Sequence, residues 1–276
     1  MKIKTILYIL CSYTLVAQSS TQFSGNVHFY NTKRLSDQSV INLPFRIFSL
    51  NIDHQIDNFA FYSTLAMEYR IRKDQSFFAS SNPQEFIWDL RELNASWITS
   101  FGEIKVGKQI HSWSSVDDNS PIDNINAYDY YYIFELGSDR KLGSMGLTLD
   151  YYLNNTKIGI YYSPLHHTNR LPIKDPDFPI QLPVTPRASQ IISPKNPDEF
   201  GLTLQQNLNF ADLSFTYFSG YDRLFSLSGS NVFTNQFQTV IILDTVFSFR
   251  KTNMIGAGIV IPTEWFVIRS EFAHFS

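Results

Sequence analysis

Cysteine is nearly absent from this 276-residue chain, which contains Cys11 alone. A disulfide framework or a thiolate metal site is therefore excluded from everything beyond the first dozen residues. Charge is sparse as well: 17% of residues are charged, against about 25% in ordinary soluble domains. The formal balance of −3 leaves no basic surplus for nucleic acid or an anionic lipid surface. No apolar run of helix length follows residue 20, and the mean hydropathy is only −0.14, which excludes a bundle of membrane-spanning helices. Also missing are a Gly-x-Ser-x-Gly elbow, a His-Glu-x-x-His zinc helix and the Asp-x-Asp-x-Asp-Gly order of an EF-hand. Those motifs would have pointed to a hydrolase or a resident metal.

The leading residues carry a different message. Lys2 and Lys4 precede an apolar stretch from Ile6 to Val16, and the small residues Ala17, Ser19 and Ser20 follow. This is the layout of a secretory signal peptide, and the stretch falls short of the roughly 18 apolar residues a membrane helix needs. Residues 1–19 are expected to be cleaved, taking Cys11 with them. Residues 20–276 then form one exported domain, more acidic than the whole chain because Lys2 and Lys4 are gone.

In that domain, apolar and polar residues alternate. From Met145 to Leu153 the odd positions are Met, Leu, Leu, Tyr and Leu, with Gly146, Thr148, Asp150 and Tyr152 between them. From Phe200 to Phe210 the even positions Phe200, Leu202, Leu204, Leu208 and Phe210 alternate with Gly201, Thr203, Gln205, Asn207 and Asn209. Successive strand side chains point to opposite faces, so such segments are greasy on one side and wet on the other. Aromatic residues make up 16%, which suits the aromatic girdles of a membrane barrel. Strands are expected at roughly 23–30, 45–56, 59–71, 86–100, 102–111, 143–153, 157–163, 200–210, 212–220, 236–250, 253–261 and 264–275.

The connections alternate in length. Short turns fall at 100–103, 154–156, 209–212 and 262–264, whereas long segments run through 72–85, 111–130, 164–198 and 221–235. A large β-sandwich is the soluble alternative, but it has no reason to alternate in this way; an outer-membrane barrel does. The expected fold is thus all-β, an antiparallel transmembrane β-barrel in the cell outer membrane, with about 12 strands visible. Ser276 follows Phe275 where such barrels generally end on an aromatic residue, so the chain is expected to be C-terminally incomplete. The proline-rich segment 164–198 cannot be a central strand; it is either a lid folded into the mouth or an exposed loop.

Several of these residues resemble a porin-like family of Gram-negative outer-membrane proteins, related in kind to alginate-export barrels. They are Leu90-Arg91-Glu92, Gly107-Lys108-Gln109, Trp113 with Asp117, Pro121 with Asp123, and Asn126 with Asp129. Tyr162-Ser163-Pro164, Leu171-Pro172, Ser219-Gly220-Tyr221-Asp222 and Ile268 to Ala273 are similar too. Ser114 stands where the family usually has glycine, and Ala127 where it usually has proline. The resemblance covers about two thirds of the chain and implies the barrel more than any one solute.

Candidate pore-lining or loop residues follow. Alternation through Ile104 to Ile110 turns Lys105 and Gln109 to the lumen and sets Lys108 near the rim. Arg269 and Glu271 share a face and are placed to pair inside the barrel. Trp113, Asp117, Asp123 and Asp129 belong to a polar segment that is rich enough in oxygen for a cation, yet reads more simply as a turn-rich loop whose side chains satisfy their own backbone. Arg91-Glu92 is left open, since adjacent strand residues point apart unless a bulge intervenes. His111-Ser112 and His166-His167 lack the arrangement of a base and a nucleophile. No enzyme activity, catalytic residue, metal or cofactor is expected. The partners implied are outer-membrane lipid, a small solute and the barrel-assembly machinery, and nucleic acid is not among them. The expected function is a passive or substrate-selective channel; the alternatives are a plugged barrel binding an extracellular ligand and a rim-active hydrolase.

Overall fold

The structure, a computed structural model, describes residues 19–70, 86–116, 120–135, 137–173, 175, 177–178, 186–234 and 240–276. The expected signal segment, Ser19 apart, lies outside these residues, as does Asp117. Eleven strands form one sheet: β1 (Ser19–Val27), β2 (Phe45–Ile56), β3 (Phe59–Tyr69), β4 (Phe86–Thr99), β5 (Gly102–Gln109), β6 (Ser144–Leu153), β7 (Thr156–Ser163), β8 (Glu199–Asn207), β9 (Asp212–Tyr221), β10 (Lys251–Pro262) and β11 (Val267–Phe275). Each pairs antiparallel with the next in sequence, so the sheet is a pure meander. Its edges, β1 and β11, run in the same direction, as the first and last strands of an odd-numbered meander must. An antiparallel ladder therefore does not join them.

The register shows why the sequence alternates. One band across the sheet runs Trp97, Ile104, Leu149, Ile160, Leu202, Tyr217 and Ile255, each facing the next across a strand pair. The neighbouring band on the opposite face runs Ser96, Lys105, Thr148, Tyr161, Gly201, Phe218 and Met254. The first band is apolar and exposed or half-buried, and the second is buried except at Lys105. Thr148, Thr203, Ser214 and Thr216 are enclosed while Leu147, Leu202, Phe215 and Ile255 face out, the reverse of a soluble protein.

The strands are joined on one side by short turns at 57–58, 100–101, 154–155, 208–211 and 263–266, and on the other by connections of residues 28–44, 70–85, 110–143, 164–198 and 222–250. Asp57 and Asn154 open two of the turns at φ of +50°, a conformation these residue types tolerate better than most.

Two sequence expectations change. The segment expected as a strand at 236–250 does not join the wall: Val240–Ser248 pairs with Ser226–Thr234 as a separate hairpin, and with Ile191–Ile192 in parallel. It alternates like a wall strand, but a chain segment of 222–250 gave it a local partner. The Arg91-Glu92 question is answered by a bulge. Thr64 opposes Glu92 and Leu65 opposes Leu90, so Arg91 is the extra residue. Both side chains then turn inward: Arg91 is buried, and Glu92 accepts the Ile110 amide at 2.8 Å.

Candidate constriction inside the sheet

The connection between β5 and β6, residues 110–143, lies on the enclosed face of the sheet. It touches side chains of β2, β4, β7, β9, β10 and β11 and lies against Gly201 of β8, so the sheet curves around it. Its apolar residues Trp113, Ile122 and Ile125 pack with Tyr161 of β7, Phe218 of β9 and Met254 of β10 into the one buried hydrophobic cluster among the described residues. Inward-facing glycines make the room. A Cβ on Gly201 would come within 2.6 Å of the Trp113 ring, and one on Gly256 within 2.3 Å of Ile122. The wall is thus hollowed where the loop docks.

Polar side chains hold the loop's shape. Asn126 is fully buried and clasps the His111 backbone in both directions, accepting from its N–H at 2.8 Å and donating to its carbonyl at 2.7 Å. The same amide donates to Asp123 at 2.8 Å, and Asp123 pairs with Lys141, whose ammonium also reaches the His111 carbonyl. Burial, reinforced by the charges of Lys105, Lys141 and Arg223, pushes the His111 imidazole down to about 3. The ring is held neutral and stacks edge-on against Tyr161.

A second set of charges ties this loop to the 164–198 connection. Arg170 grips Glu68 of β3 with two parallel hydrogen bonds, 2.8 and 2.9 Å, and reaches Asp129 at 3.0 Å. Asp129 also caps the short helical turn Tyr130–Tyr132 by accepting the Tyr131 amide. Burial pushes its carboxyl upward, against the pull of Arg170. Backbone hydrogen bonds between Tyr128, Tyr130 and Arg170 lock the two loops side by side. Arg223, from the connection after β9, is a third tie: it donates to Glu199 at 2.7 Å, to the carbonyls of Asn124 and Ile125, and to that of His167. Arg46 and Arg91 converge on the 138–141 turn from β2 and β4, donating to the Asp139 and Ser138 carbonyls.

The wall of β2 to β5 carries a cavity of about 310 Å³, lined by Asp53, Tyr62, Glu92, Asn94, Glu103, Lys105 and Gln109 among others. Lys105 lies 3.5 Å from Glu103. Gln109 is buried, donating to the Gly146 carbonyl and accepting from Thr148.

The structure thus places Lys105 and Gln109 on the inner wall and Trp113 in the loop's apolar anchor. Asp123 and Asp129 are spent on Lys141 and Arg170. Arg269 and Glu271 share the inner face of β11, and Glu271 accepts hydrogen bonds from Ser114, Val116 and Ser120 of the loop. Among the described residues no three His, Cys, Asp or Glu side chains converge as metal ligands. Sequence reasoning missed Arg46, Glu68, Arg170, Glu199 and Arg223. Arg46, Glu68 and Glu199 do carry a signal, since each is a charge at the end of a strand that meets a long connection. Arg170 and Arg223 carry none.

No family model and no curated protein matches the sequence. Solved structures do. The chain is similar to OmpT, an outer membrane protein of Vibrio cholerae folded in vitro and in its trimer form, with a TM-score of 0.47 and 12% identity over 93% of this chain and 65% of that one. It therefore spans slightly under two thirds of that protein's length. The assignment to the antiparallel outer-membrane barrel type stands on the meander, the alternating connections and the inverted polarity of the wall.

Proposed function

We propose that this chain forms a channel across the outer membrane through which small solutes diffuse, with the 110–143 loop as its constriction. The carrying observation is the inverted wall, apolar outward and polar inward, with a long loop folded against the inside of β7 to β10 while the cavity on β2 to β5 stays clear of its apolar anchor. Fixed charges and hydrogen-bonding groups on that wall would replace part of a solute's hydration as it passes. No observation favours hydrolysis to the same degree: the His166 imidazole faces Glu199, with Arg223 on the same carboxylate oxygen, and His111 Nε2 has no hydrogen-bond partner. Single-channel recording of the purified protein in a planar bilayer tests the reading. Stepwise openings that small sugars or anions block support it; a folded protein that stays electrically silent overturns it and leaves a plugged, ligand-binding barrel.

A further inference from the structure

We infer that Glu271 is a latch that holds residues 114–116 and Ser120 against the wall and so keeps the passage clear; as a statement about conduction, this rests on the channel reading above. Trp113 and Ile122, which flank these residues, are fixed in the apolar cluster. One carboxylate oxygen of Glu271 accepts the amides of Ser115 and Val116 and the hydroxyl of Ser114, and the other accepts the hydroxyl of Ser120. The Ser115 amide is satisfied by a residue of a different element, and the Val116 amide is shared between Glu271 and the Ser114 hydroxyl.

The wall is shaped for the same contact. Gly258 sits directly opposite Glu271 in the β10–β11 ladder, and a Cβ there would lie 2.5 Å from the Ser214 hydroxyl and 3.0 Å from that of Ser115. Ser115 and Ser214 are in turn 3.4 Å apart, oxygen to oxygen. A side chain at 258 would push Ser115 off the wall and away from Glu271. Neither the sheet nor the apolar cluster depends on Glu271, because the ladder of β10 and β11 is made by backbone groups alone. Its carboxylate positions the loop.

The test compares the full chain with E271Q in two measurements. In planar bilayers the variant is expected to close about tenfold more often, because the acceptor shared by four donors loses its charge. The second readout needs no conduction: with Cys11 replaced by serine, Val116→Cys is labelled by a water-soluble thiol reagent, about tenfold faster when E271Q is also present. Should E271Q fail to assemble, Ser120→Ala removes one donor and leaves the wall intact, with smaller changes of the same sign expected. Equal labelling rates and equal gating in an assembled variant overturn the latch. Faster labelling in a protein that never conducts keeps the latch and overturns the channel.

Discussion

At the residue scale, buried ion pairs tie the loops to the wall and to each other. Arg170 is bound by Glu68 and Asp129, both buried. Replacing it with alanine strips Glu68 of its ion pair and leaves Asp129 only the longer contact to Arg46, at 3.8 Å, which costs about 3–5 kcal/mol for a buried pair broken on one side. Chemical unfolding of the detergent-solubilised protein should show that loss, and a Glu68→Gln change should show less of it. His111 sets a pH dependence with a definite sign. Its imidazole is held down to about 3 from an ordinary 6.5, so between those values the unfolded chain binds a proton that the folded one refuses. Stability is full above about pH 6.5 and falls as pH drops toward 3, by at most about 1.4 kcal/mol per pH unit from this group. His111→Gln should flatten the acid limb of the stability profile; an unchanged limb would mean that the ring is not excluded from protonation.

At the element scale, the wall and the loop are fitted to each other through missing side chains. Gly201 lies under the Trp113 ring, and its neighbours across the ladder are Tyr161 and Phe218, which are themselves buried in the cluster. Valine at this position cannot be accommodated by a shift at a flexible chain end, since the atoms it meets belong to an indole held on several sides. Overpacking of this kind costs about 1–3 kcal/mol, and the loop is the element free to yield. Gly201→Val is therefore expected to leave the assembled sheet in place, read as unchanged β circular dichroism, while raising the proteolysis rate within 110–143. The bulge at Arg91 is a second fitted feature: by adding one residue it turns Arg91 toward the Ser138 and Lys141 carbonyls and Glu92 toward the Ile110 amide.

At the scale of the whole molecule, the wall is inverted, and this can be measured directly. Leu202 faces outward, half exposed in the wall's middle band, whereas Asn51 faces inward between Ser24 and Thr64. Lysine at Leu202 should cost about 2–4 kcal/mol when the protein folds into lipid vesicles, the cost of a cation at the membrane midplane. Lysine at Asn51 should cost much less, because that face meets water. Equal costs at the two positions would remove the membrane from the account.

The strands were legible because alternation with period two is a local property: it is written into each segment whatever that segment pairs with. The alternation of short and long connections was equally local, and together they determined the meander and the side on which the loops gather. The hairpin of 226–248 shows the limit, since its alternation matches that of a wall strand and only its partner distinguishes it. The candidate site was less legible still. Lys105, Gln109 and Glu271 could be put on an inner face from parity, but not the contact of Glu271 with a loop some 150 residues earlier, nor that of Arg170 with Glu68, 102 residues away. Which loop fills the interior depends on hollows formed by glycines from two different strands and on charges supplied by separate connections. Those groups become neighbours only once the sheet has curved, so the tertiary structure alone decided them.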